Sequence, residues 1–404
     1  MTLVSELDLP HLAMEDPAFG EDPWPHFEAA RRQHPFLATC KFGLVVSEYQ
    51  AMKDLLWMDD SMRVALGDIV ELMNAKGTWW GKFQEDMILN KNGETHKRLR
   101  DVLAPAFTPR QAIKHRPLMR EQIGKLLDEW APRGAFDFEA FASHFPVSVI
   151  TRLIGAPQSL IPELLDALEA LGQSLNMDPE FMVKLEAGTE LLYRTMADLI
   201  ARRRAGERVG PEEDMLDILI ATHDGGGLSM DELLNLLILL FVAGYDTSKN
   251  AMTLMMNQLI DMPEAYARCA EDPAFCAKVV EENFRHTTTA NVPRQTARDI
   301  EYRGVTIPKD TMLYFPISVA GRDPQVAPDA DRFDPERDQK NRHIAFGRGQ
   351  HMCLGQHIAR AQIEEGLHQI AQRLKNPRRA GPSGWRPFFG TWGMRGLPIE
   401  FDPA

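Results

Sequence analysis

Cysteine is scarce in this chain. Only Cys40, Cys269, Cys276 and Cys353 occur among 404 residues, too few and too scattered for a disulfide framework, which suits a reducing cytoplasm. Long apolar runs are also missing: the longest, Leu236 to Gly244, is far short of the roughly 20 residues that cross a bilayer. The first residues, Met1 to Pro10, hold neither a cationic start nor a long apolar stretch, so no signal peptide is expected. Positive charge is not in excess. The formal net charge of −13 argues against a dedicated nucleic-acid binder. No repeat of fixed period, low-complexity tract, block of like charge or flexible linker interrupts the chain. What remains is a soluble, cytoplasmic, globular protein with no membrane span.

A hydrophobic fraction of 44% and a charged fraction of 25% are ordinary for a chain that buries a large core. The first ~65 residues carry Pro10, Pro17, Pro23, Pro25 and Pro35 and read as irregular chain with short elements. From about 93 to 286 the patterning is mainly helical. Within it, Ser229-Met230-Asp231-Glu232 is a capping box and Pro263 sets a far limit, a span of about 30 residues or about 45 Å of helix. Leu233, Leu236, Leu237, Ile238, Leu239, Leu240, Phe241 and Val242 leave that helix almost no polar face, so it is expected to be buried all round at the centre of the molecule. Another helix starts near Asp272-Pro273. Residues 293–320 read as short strands and turns, Gly321 to Phe346 shows little periodicity, and a last long helix follows Cys353 over about 354–374. The expected architecture is mainly α with small β-sheets (α+β), one unit over residues 1–404.

The chemistry is concentrated in Phe346-Gly347-Arg348-Gly349-Gln350-His351-Met352-Cys353-Leu354-Gly355. Glycines allow a tight loop, and the cysteine stands just before a helix, whose free amides and dipole are expected to stabilise a thiolate and lower its pKa. A lone cysteine is ordinarily a small buried hydrophobe. Zinc is a poor fit, because His351 and Cys353 have no second pair nearby at metal spacing, and a covalent haem is excluded by the absence of Cys-x-x-Cys-His. Three further groups stand out. Asp246 and Thr247, after Ala243-Gly244-Tyr245, place polar side chains in an apolar helix, where burial without a partner costs several kcal/mol. Glu282 and Arg285, three apart, share a helix face. His96 and Arg100, four apart in Gly93 to Arg100, point the same way, as two cations would towards an anion.

The loop matches, at every fixed position, the pattern Phe-Gly-x-Gly-x-His-x-Cys-x-Gly, and with the other groups in order the chain resembles the soluble bacterial cytochromes P-450 from about Pro23 to Phe401. The resemblance implies a long central helix over a non-covalent haem b and a C-terminal helix that starts at the cysteine ligand. Cys353 would be the axial ligand of the iron. Gly244 would leave room for O2, Thr247 would donate to the bound dioxygen, and Asp246 would relay protons. His96, Arg100, Arg294 and His351 would hold the propionates, with Phe346, Gly347 and Gly355 shaping the haem loop. Glu282 and Arg285 would meet a second arginine, Arg337 in preference to Arg332, and hold the segment that presents the cysteine.

By family position the substrate pocket would be lined by Trp79, Trp80, Phe83, Ile88, Leu239, Val242, Ala243, Thr289, Ala290 and Val292, with Phe388 and Phe389 closing it. Those side chains are mostly apolar, which implies a hydrophobic small molecule. The stretch His286 to Pro293 is more polar than usual for the family and lacks a common proline. The implied activity is a monooxygenase that inserts one oxygen atom from O2, working as a monomer with a ferredoxin- or flavodoxin-type donor and its reductase. Such donors are acidic, and Arg110, Lys340, Arg342 and Arg348 are candidates for a basic docking patch. Two rivals are a peroxide-driven peroxygenase, against which Asp246-Thr247 counts, and a haem-binding sensor, for which no readout domain is visible.

Overall fold

Ser229 opens the longest helix. Its hydroxyl accepts from the Glu232 N–H at 3.1 Å, while the Glu232 carboxylate accepts from the Ser229 N–H at 2.9 Å. This reciprocal cap satisfies two donors that a helix start otherwise leaves bare. The 31-residue helix Met230–Ile260 follows, and Pro263 begins the next one, Pro263–Glu271. The structure is a computed structural model that describes residues 1–404 apart from 175–178, 211–212, 328, 339–342 and 404.

The central helix packs chiefly on Phe138–Ile154, with Ile161–Gly172 and Met182–Arg204 beside it. Leu233, Leu237, Ile238 and Phe241 are fully buried there. The expectation of burial all round needs correction. Asp246, Lys249 and Asn250 are buried polar groups, and Ala243 and Thr247 form a stripe open to a cavity. That stripe is the face the helix turns towards the cavity.

The helix after the cysteine, Gln356–Arg373, buries Ile363, Leu367 and Ile370 against Pro109–Trp130, Pro263–Glu271 and Pro273–His286. Distant parts of the chain meet in a five-stranded sheet, in the order Leu37–Cys40, Gly43–Val46, Met312–Phe315, Val292–Thr296, Met62–Val64. Arg294 pairs with Leu313 on one side and Val64 on the other, so its backbone is held from both edges. Within the span that reads as helical, Ala135–Asp137 is a strand, paired antiparallel with Pro398 to Glu400. Three residues are too few for a period of two to register in the sequence. Between Ala320 and Gly349 the described residues form neither helix nor strand. No helix among the described residues is long and apolar enough to cross a membrane.

Candidate active site

Cys353 sits at the end of a knotted turn. Its N–H donates to the Phe346 carbonyl at 2.8 Å, and Gly347 N–H donates to Ile344 at 2.8 Å. Gly347 and Gly349 have φ of +70° and +71°, a region that side chains avoid, and a Cβ on Gly349 would lie 2.3 Å from an Asp59 carboxylate oxygen. That carboxylate instead accepts from the Gln350 N–H at 2.6 Å. Arg100 donates to the Met352 carbonyl at 2.8 Å, pinning the other side of the turn.

The sulfur opens onto a cavity of about 430 Å3. The helix start and burial act on the Cys353 thiol in opposite directions. Burial pushes it up, and the amides of Gly355 and Gln356 with Arg100 and Arg360 only partly offset this.

Around the same cavity stand His96, Arg100, Arg294 and His351. The His96 and His351 rings lie 4.5 Å apart. Burial with Arg294, His96 and Arg100 pushes His351 down to about 3, and burial pushes Arg294 down to about 10 against the pull of Asp59. His351 Nδ1 is buried without a partner. Two guanidiniums and two imidazoles crowded this way call for an anion with several acceptor oxygens. A dianionic haem would fit this donor set, with Cys353 of the same cavity as the residue to hold its iron.

Asp246 and Thr247 reach the cavity from the central helix. The Thr247 hydroxyl donates to the Ala243 carbonyl at 3.0 Å. Asp246 Oδ1 accepts from Arg386 at 2.8 Å and from Asn250 at 3.1 Å, whereas Oδ2 is buried with no partner among the described residues. Arg386 also pairs with Glu169, and Lys249 bridges Glu169 and Glu139. Burial opposes the charge on Arg386, but Asp246, Glu169 and Glu139 outweigh it and raise its pKa. Glu169 is held below the usual range because Lys249 and Arg386 outweigh its burial. Room for Asp246 comes from Gly172, where a Cβ would lie 2.5 Å from the carboxyl carbon. Gly244 lines the cavity too, but a Cβ there would come within 3.3 Å of Ile150, so its smallness serves the close approach of two helices.

Glu282 and Arg285 form a buried bidentate pair at 2.6 and 2.9 Å. Arg285 also donates to the carbonyls of Gly321, Ala330 and Arg332, tying down the irregular run before the cysteine loop. Arg337 comes to 3.5 Å from Glu282, while the Arg332 side chain points outward to Asp329 and Asp334.

The family model for cytochrome P450 matches residues 33–377. The chain belongs to the cytochrome P450 family. It is 33% identical over 98% of its length, and 97% of the relative's, to "Luteothin monooxygenase" of Streptomyces thioluteus. It is 31% identical over 76% of both chains to "6-deoxyerythronolide B hydroxylase" of Saccharopolyspora erythraea. Among solved structures, P450BioI in complex with a hexadec-9Z-enoic acid ligated acyl carrier protein has a TM-score of 0.86 and 26% identity, covering 95% of this chain and 100% of that one. This P450 is a haem-thiolate monooxygenase by family, with the mainly α fold and small sheets of its relatives.

The pocket of this P450 differs in part from the sequence expectation. Phe83, Ile88, Leu239, Val242, Ala243, Thr289, Ala290 and Val292 line the cavity, as do Phe346, Gly347 and Gly355. Trp79, Trp80, Phe388 and Phe389 do not. Trp80 is fully buried in a separate core, Trp79 lies against Tyr193, and Phe388 and Phe389 pack on Phe27 and Tyr314. Large aromatic rings find their area in the core, and the turn after Phe389 offers Gly390 and Thr391 to the cavity instead. Of the basic docking candidates, Arg110 is exposed and Arg348 lies over the Trp57 ring at 5.2 Å. Lys340 and Arg342 lie outside the described residues.

Sequence reasoning missed Arg386, Lys249 and Glu169. Lys249 had a signal, a lysine three residues after Asp246 in an otherwise apolar helix. Arg386 had none, standing 140 residues from Asp246.

Proposed function

We propose that this P450 inserts one oxygen atom of O2 into a hydrophobic small molecule, with haem b held non-covalently, Cys353 as axial ligand, and electrons from a ferredoxin- or flavodoxin-type donor and its reductase. The reading places the protein in the cytoplasm as a monomer. The observation that carries it is the single cavity shared by an open cysteine sulfur, an anion cradle and an acid–alcohol pair.

When bound, haem held by the Cys353 thiolate would supply the oxygen-activation and oxygen-transfer chemistry. The protein does the rest. His96, Arg100, Arg294 and His351 bind the two propionates and fix the plane of the ring. Glu282, Arg285 and Arg337 hold the loop that presents the sulfur. Rotation of Thr247 about χ1 frees its hydroxyl from Ala243 to donate into the cavity. Asp246 takes a proton on Oδ2, its one unpartnered oxygen, and passes it to Thr247. Arg386 and Lys249 hold that carboxylate in place, and Glu169, with 36% of its side chain exposed, reaches from the cluster to solvent. Leu239, Leu240 and Val242 exclude bulk water from the oxidised carbon.

The test is the absorption spectrum of the reduced protein with carbon monoxide. A Soret band shifted far to the red is expected, and Cys353→Ser should abolish it. A band at the shorter wavelength of an axial histidine, or one unchanged in Cys353→Ser, overturns the assignment.

A further inference from the structure

The residues just before the ligand, Gln350, His351 and Met352, are held by polar side chains from elsewhere in the chain. Arg100 donates to the Met352 carbonyl at 2.8 Å, and Asn92 Oδ1 lies 3.2 Å from His351 Nε2 and 3.4 Å from Gln350 Nε2. The third hold is Asp59, whose carboxylate accepts from the Gln350 backbone N–H at 2.6 Å. Arg100 belongs to the anion cradle, and Asn92 supports its His351. Asp59 is the odd member, an acid among groups gathered around an anion site.

Its position is fixed from two directions. The short turn Asp59–Ser61 runs straight into the strand Met62–Val64, where Val64 pairs with Arg294. The Ser61 carbonyl accepts from the Ala297 N–H at 2.8 Å, and the Ser61 hydroxyl accepts from the Arg298 guanidinium at 2.8 and 2.9 Å. The segment that carries Asp59 is therefore fastened to the strand that carries Arg294. On the loop side, Gly349 leaves the space into which the carboxylate closes, since a Cβ there would meet it at 2.3 Å.

Arg294 has few other partners. Its side chain donates to the Pro293 carbonyl at 2.9 Å and makes no ion pair within 4 Å among the described residues. Burial disfavours its charge, and the Asp59 carboxylate is the group that favours it. Burial likewise pushes the Asp59 carboxyl up, against the pull of the Gln350 amide and Arg294.

We propose, on the haem reading above, that Asp59 is a positioning residue of the cofactor site: it locks the cysteine loop to the strand of Arg294, and its negative charge lowers the reduction potential of the bound haem. Electron uptake makes the site more negative, so a carboxylate beside the cradle opposes it and offsets the arginines that favour it.

Spectroelectrochemical titration of the haem-loaded protein tests this with Asp59→Asn, which keeps an oxygen for the Gln350 N–H and loses the charge. The potential should rise by about 30–59 mV, roughly a 3- to 10-fold change in the one-electron equilibrium. Asp60→Asn, which removes an equal charge from the exposed neighbour, should move it far less. Asp59→Ala loses the hydrogen bond as well and should release haem to excess apomyoglobin faster than wild type, whereas Asp59→Asn should not. An unchanged or lowered potential in Asp59→Asn, an equal rise in Asp60→Asn, or haem release from Asp59→Ala at the wild-type rate overturns the proposal. A carbon monoxide band far to the red in wild type and variants shows the thiolate reading intact, so that a negative result counts against Asp59 alone. Should Asp59→Asn load no haem, Asp59→Ser carries the same comparison.

Discussion

Two clusters of buried charge, both built around a carboxylate and an arginine, finish their hydrogen bonding differently. At Glu282 every oxygen is used: Oε1 accepts from Arg285 at 2.6 Å and from the Asp334 N–H at 2.7 Å, and Oε2 accepts from Arg285 at 2.9 Å. At Asp246 one oxygen accepts from Arg386 and Asn250, and the other accepts from nothing among the described residues. At its carboxylate the first cluster is closed, although Arg337 Nε, 3.5 Å away, makes no hydrogen bond among the described residues, and Arg285 grips three backbone carbonyls of an irregular segment. The second keeps one buried lone pair on a residue that lines the cavity, and half-exposed Glu169 connects its far side to water. A closed cluster trades desolvation for rigidity, while an open one retains the acceptor that proton transfer needs.

The largest effect should come from opening the closed cluster. Glu282→Ala leaves the Arg285 charge buried without its counter-ion and should cost about 3–5 kcal/mol, seen in chemical denaturation and in poor haem loading. Normal loading and stability would make the pair incidental. Next, Asp246→Asn should fold normally yet slow turnover by on the order of 100-fold with a raised solvent isotope effect. A large loss of stability there instead would put the two clusters in one class. Thr247→Ala should keep haem and electron consumption while diverting several-fold more electrons to hydrogen peroxide, by analogy with the loss of a proton-delivering hydroxyl. Product formation fully coupled to electron uptake would remove Thr247 from the path.

The smallest effect concerns a support of the closed side. Burial works against the charge of Glu281, but His343 and Arg360 outweigh it and hold its carboxyl at about 2. The unfolded value is about 4.3, so the stabilisation is complete above that pH and lost as pH falls towards 2. Glu281→Gln should flatten the acid limb of the stability curve by about 1 kcal/mol, screened because the side chain is a third exposed.

Much of this was legible from local pattern. The capping box at Ser229 and the proline at 263 bounded the central helix because both act within one turn of the chain. The cysteine loop was legible because its glycines and Cys353 are consecutive. The acid–alcohol pair and the Glu282–Arg285 pair were visible for the same reason, each lying within four residues on one helix. The tryptophans at 79 and 80 and the phenylalanines at 388 and 389 misled, because an aromatic side chain reads the same whether it faces a cavity or a core.

By itself the sequence determined the family pattern, the ligand loop, the long central helix and the residues that gather at its middle, since short-range spacing and local hydrogen bonding specify these. Only the tertiary structure decided that Arg386 clamps Asp246, that Lys249 bridges Glu169 and Glu139, and that one oxygen of Asp246 finds no partner among the described residues. Partnership between groups a hundred residues apart, and the lack of any partner, depend on how helices pack around a void, and neither leaves a periodicity in the chain.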